Sequence, residues 1–122
     1  MGWLIDTETG DYVLTDGHFE RDASPATAIY LRLFTRRGEY LADPTFGSRL
    51  HELARYKRAD RAARDLPAMV QEALAPLVRE GRLSSVDVVA EVLGPDGVAG
   101  AIEAYDSGRR PYTFQLFQEV GG

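Results

Sequence analysis

A chain of 122 residues, 44% hydrophobic and 27% charged, has the composition of one globular domain. It contains no cysteine, which excludes disulfides and thiolate chemistry and favours synthesis inside a cell. No apolar run approaches the roughly 18 residues that span a bilayer, and the start does not resemble a signal peptide.

The net charge of −5 is unevenly spread. Residues 1–22 hold six acids against Arg21 alone, residues 23–64 hold nine bases against four acids, and residues 65–122 hold nine acids against four bases. Solvated faces explain such a pattern. So does a protein wedged between neighbours, with acidic and basic faces that fix its orientation. Nucleic-acid binding is disfavoured, because the basic stretch lacks interleaved aromatics and the whole chain is acidic.

In chain order, Trp3-Leu4-Ile5 and Tyr12-Val13-Leu14 read as short strands, and Asp16-Gly17 is a hairpin signal. A helix then starts at Ser24 as cap, with Pro25 at the first helical position. Ala26, Ile29, Tyr30, Leu33 and Phe34 recur on one face, and Gly38 is the expected stop. The segment Gly38 to Leu50 follows. Asp43-Pro44 favours an extended shape, Gly47 permits an unusual backbone angle, and Phe46 is an apolar plug in a polar turn. Such a loop is fixed against a core or a partner.

Ser48 to Leu53 predicts a short helix with Leu50 and Leu53 inward, and a linker then leads to a cap at Asp60. Leu66, Met69, Val70, Ala73, Leu74, Leu77 and Val78 form an apolar stripe on a long helix. Pro67 and Pro76 predict a kink or a break in it, and Gly81 closes it. Ser85–Leu93, Val98–Tyr105 and Tyr112–Val120 then form an antiparallel meander. On its last strand Tyr112, Phe114 and Leu116 face one way, and Thr113, Gln115 and Phe117 the other. The expected fold is therefore α+β: two main helices and a short one packed on an antiparallel sheet. Residues 1–22 make an acidic hairpin, 24–80 the helical part and 85–120 the meander of a single domain.

Chemistry is sparse. His18 and His51 lack neighbours at metal-ligand spacing, no serine sits in a nucleophile elbow, and no phosphate loop precedes a helix. Glu20 with Asp22, or Glu39 with Asp43, are the acid pairs a glycosidase reading would use, but no aromatic-lined sugar groove accompanies them. No cofactor or metal is implied.

The helix ending Leu33-Phe34-Thr35, then Arg37-Gly38-Glu39-Tyr40, then Pro44-Thr45-Phe46-Gly47-Ser48-Arg49-Leu50, resembles the baseplate wedge proteins of contractile-tailed phages. These are the Mu-like wedge proteins of the gene product 46 type. They belong to the broader sheath-initiator superfamily, lysozyme-like by name only, which has members in type VI secretion systems. The resemblance runs from about Leu4 to Glu119. It implies a non-enzymatic virion component of the tail baseplate, present in several copies around a six-fold axis. Its implied partners are other wedge proteins and sheath subunits, with tube and hub proteins as further candidates, and neither nucleic acid nor membrane. The superfamily's Glu-Pro-Arg triplet corresponds here to Glu80-Gly81-Arg82, which makes Glu80 and Arg82, with Phe46, the implied contacts to the wedge core; a capped helix end with two solvated charges is the plainer account. Strand addition to the last strand, at Tyr112, Phe114, Leu116 and Phe117, is the implied contact to sheath. A peptidoglycan-cleaving enzyme and a secretion-system homologue are the alternatives.

Overall fold

The computed structural model describes residues 4–5, 12–13 and 24–121. Short strands β1 (Leu4–Ile5) and β2 (Tyr12–Val13) pair antiparallel. The hairpin signal Asp16-Gly17 lies outside the described residues. Helix α1 (Pro25–Phe34), a 3-10 turn (Leu50–Arg55) and helix α2 (Ala59–Arg79) follow. Strands β3 (Leu83–Leu93), β4 (Gly97–Asp106) and β5 (Pro111–Glu119) complete the chain as an antiparallel sheet in the order β3-β4-β5. The fold is α+β, as the sequence predicts.

Helix α1 begins as expected, with Ser24 Oγ accepting from the Thr27 N–H at 3.2 Å and Pro25 just inside. It ends at Phe34, earlier than the predicted stop at Gly38. The reason is tertiary: Thr35 turns extended at ψ 129, and its carbonyl accepts the distant Ser48 N–H at 2.9 Å. The helix is also buried more widely than one stripe allows. Ala26, Ile29 and Leu33 join the main core, while Leu31 and Arg32 are buried beneath the loop that follows. Tyr30 and Phe34 stack on its outer side with centroids 4.9 Å apart, and Phe34 stays exposed.

Helix α2 starts at Ala59, and its cap is Arg58 rather than Asp60. Arg58 is extended and reaches forward to the Asp60 carboxylate, donating from Nη2 at 2.7 Å. That leaves Asp60 inside the first turn, where the helix dipole favours an acid. Of the two expected outcomes, a kink or a break, the break does not occur: the helix runs through Pro67 and Pro76 for 21 residues. A proline inside a helix costs about 3 kcal/mol. Burying a Leu, Met or Val side chain gives back roughly 1.5–3 kcal/mol each. Leu66, Met69, Val70, Leu74 and Leu77 are all buried, so packing on the sheet outweighs two prolines.

That packing sets the layers. Helix α2 lies across β3 and β4, with α1 against α2. The inward sheet residues Val86, Val98, Ile102, Ala104, Tyr112 and Leu116 are buried under the helices. After β5, the Gly121 N–H reaches the Tyr56 carbonyl at 2.6 Å and ties the tail to the 3-10 turn.

Candidate functional site

Three features stand out from the packed body. The first is the loop between Arg36 and Ser48. Its two ends meet in a parallel bridge between those residues, with the Arg37 N–H donating to the Ser48 carbonyl at 3.0 Å. Gly47 sits at the crossing with φ +109, and a Cβ there would stand 2.3 Å from the Thr35 carbonyl oxygen. Only glycine fits. Ser48 Oγ donates to the Leu33 carbonyl at 2.6 Å and accepts the Leu50 N–H at 3.3 Å, so a buried hydroxyl welds the crossing to α1.

Inside the loop, Phe46 is 4% exposed and packs on Leu31. The Arg32 guanidinium lies 4.5 Å over its ring and Tyr40 meets it edge-on at 5.5 Å. The Asp43 carboxylate accepts from the Thr45 hydroxyl at 2.6 Å and from its N–H at 3.0 Å, and these bonds hold its pKa below the usual range. The plug is therefore real, and it plugs this chain's own interior. What the loop presents outward is its tip, where Leu41 is 93% exposed.

A salt-bridge clamp anchors the loop from outside. Glu72 on α2 accepts Arg49 Nε at 2.8 Å and Nη2 at 3.2 Å, and pairs with Arg37 Nη1 at 3.0 Å. One carboxylate thus holds both stems of the loop. The Arg49 bonds first, then the charges of both arginines, hold Glu72 below the ordinary glutamate range. Sequence reasoning named Phe46 and missed this clamp; two arginines flanking the loop were its only trace.

The second feature is the corner from α2 into β3. Gly81 takes φ +78, the Arg82 N–H donates to the Leu77 carbonyl at 3.0 Å, and the Gly81 N–H to Val78 at 3.1 Å. This is a Schellman ending, and a proline at residue 81, with its ring fixing φ near −65°, could not adopt that angle. Glu80 is exposed and Arg82 half-buried on either side of the cap.

The third feature is the sheet. Tyr112 and Leu116 are buried and Phe114 is half-buried, all turned inward, while Phe117 is 70% exposed on the outward face. Tyr112 also donates its hydroxyl to Asp106 Oδ2 at 3.1 Å, fixing the β4–β5 turn. Among the described residues β3 and β5 each pair only with β4. The β3 margin is partly covered, since Gln71 of α2 donates to the Val86 carbonyl at 2.7 Å.

Of the acid pairs, Glu39 accepts the Arg36 N–H at 3.3 Å and Asp43 is committed to Thr45. Glu20, Asp22 and His18 lie outside the described residues. His51 is half-buried, and no group of metal-ligating side chains occurs among the described residues. No described helix is long and apolar enough to cross a membrane.

A family model described as "Phage protein GP46" matches residues 15–110. The chain belongs to this family. Among solved structures, the GP46 chain is similar to a Geobacter sulfurreducens protein described as a "putative tail lysozyme". The two share 23% identity over 88% of this chain and 95% of that one, with a TM-score of 0.59, a likeness of fold. No curated protein matches. The matched segment spans the clamped loop, the α2–β3 corner and most of the sheet.

Proposed function

We propose that this GP46-family protein is a non-enzymatic component of a contractile phage tail. In this reading it is a wedge subunit of the baseplate that docks on the wedge core and offers β5 as a template for sheath subunits. The observation that carries it is the bare margin of β5. Among the described residues the strand pairs only with β4; it carries neither Lys nor Arg, and Glu119 at its end is its single charge. Monomeric sheet proteins blunt such margins with charge, bulges or covering loops, so an unguarded one fits a protein whose sheet is completed by a partner strand.

The wedge-facing side would comprise the exposed loop tip around Leu41, with Glu80 and Arg82 at the capped corner. Phe46 would act there by holding the loop's shape. Hydrolase chemistry is the rival, favoured by the name of the Geobacter protein. A glycosidase acid must be kept protonated near neutrality. Asp43, Asp60, Asp65, Glu72 and Asp106 are instead all shifted downward by the hydrogen bonds they accept.

Disrupting this gene in a producing strain tests the proposal. Electron micrographs should show tail tubes without ordered sheath, restored by the wild-type gene in trans. Normally sheathed particles would overturn it, as would peptidoglycan turnover by the purified chain that is lost in Glu39→Gln.

A further inference from the structure

The margin of the sheet is not its only uncovered surface. Helix α2 covers one face of the sheet, and among the described residues no element covers the other. On that outward face Ala101 lies in register between Val89 and Gln115, and Ala99 between Glu91 and Phe117. Val89 and Phe117 are each 70% exposed.

Two alanines on the central strand, flanked by longer side chains on both outer strands, make a trough along β4. Strands lie about 4.8 Å apart, so its walls on β3 and β5 stand about 10 Å apart. An α-helix with its side chains is about 10–12 Å across, whereas an added strand is much flatter. The trough holds a cavity of about 250 Å³ between Val89 and Phe117, and a second of about 530 Å³ lies towards Asp87 and Glu103.

Its charge is one-sided. Asp87 and Glu103 stand directly opposite each other in register, and Glu91 follows beside the alanines. Like charges facing one another across a ladder destabilise it. No outward position of the three strands carries a Lys or Arg that would relieve them. Tyr105 donates its hydroxyl to Glu103, which leaves the charge in place.

We infer that this trough docks an amphipathic helix of a partner protein, its apolar stripe on Ala99 and Ala101 and its Lys or Arg flanks against Asp87, Glu91 and Glu103. Apolar floor, helix-sized width and uncompensated acids at the rim all select the same occupant. This surface is separate from the β5 margin, and the inference does not depend on the sheath reading.

The test uses the full chain and a synthetic helical peptide of about 18 residues with a leucine stripe flanked by lysines, beside a twin with glutamates in their place. Fluorescence anisotropy at low salt should give a Kd in the micromolar range for the lysine peptide and no binding for its twin. Phe117→Ser and Val89→Ser should each weaken it by about tenfold or more, and Glu91→Lys likewise, while Arg61→Gln, exposed on the helix that covers the other face, changes nothing. Circular dichroism confirms that each variant is folded. Equal affinity in the folded Phe117→Ser and Val89→Ser variants overturns the inference, as does equal binding of the glutamate peptide. Sedimentation of the wild-type chain as a dimer that Phe117→Ser dissolves would also overturn it, by making a second copy the occupant.

Discussion

Phe46 is 4% exposed beneath an arginine guanidinium, whereas Phe117 is 70% exposed on a bare sheet face. The surroundings differ as much as the rings. The loop around Phe46 is sewn to the body by a glycine crossing, a buried serine and a carboxylate gripping both stems. The outward sheet has a ladder whose register shifts only between Leu83 and Ser85 in β3, and among the described residues no element lies above it. In the loop, the side chains below the exposed tip at Leu41 hold shape; on the sheet, strand pairing already fixes the backbone, and the outward side chains are left for something else to touch. Substitutions in the loop should therefore be read as stability, and those on the sheet face as binding.

The largest effect should come from Gly47→Val, which drives a Cβ into the Thr35 carbonyl and forces an angle that β-branched residues avoid. Loss of soluble, folded protein on expression is the expected result; a normal melting curve would show that the crossing can relax. Phe46→Ala comes next, at about 3–5 kcal/mol for a buried aromatic, measurable by chemical denaturation. An unchanged midpoint, with unchanged tail assembly, would mean the plug is ornamental. Ser48→Ala should cost about 1–3 kcal/mol, because two backbone groups lose their partner in a buried place.

Glu72→Gln should be milder and pH-dependent. The folded state holds this carboxyl below its ordinary value near 4.5, so the unfolded chain binds the proton more tightly. The clamp therefore stabilises the protein above that value, and its contribution fades as pH falls through the lower folded value. The variant should melt earlier than wild type at neutral pH and converge with it in acid; a difference constant with pH would count against the clamp. At the small end, Phe117→Ser should leave stability within about 0.5 kcal/mol of wild type. A large loss there would erase the contrast between the two regions.

Much of the architecture was visible in the residues. Ser24-Pro25 placed the start of α1, the Leu66-to-Val78 stripe placed α2, although Val78 itself is exposed, and Ser85–Leu93 with two turn clusters placed the meander. Alternation on β5 separated Tyr112 and Leu116 from Phe117 correctly, because a strand has a period of two and one face was already claimed by a helix. What differs is the placing of boundaries, and of the two outcomes the prolines allow, the break is absent. The end of α1 was set by Thr35 bonding to a residue far along the chain. The prolines of α2 were overruled by burial against the sheet.

The candidate surfaces divide in the same way. Phe46 was legible as a plug because an aromatic between Pro44 and Gly47 is locally odd. The grip of Glu72 on Arg37 and Arg49 was not, since a single acid on a helix has no local signature. The trough over Ala99 and Ala101 has no local signature either, because alanines in a strand are ordinary until the register places Val89 and Phe117 on either side.

By itself the sequence determined the fold class, the order of elements and which strand face turns inward, because capping, periodicity and turn chemistry act between near neighbours. Packing settled where α1 stops and what holds the loop, and it left the outward face of the sheet without a covering element among the described residues. Those outcomes depend on contacts between residues far apart in the chain, and their energies exceed the local preferences they override.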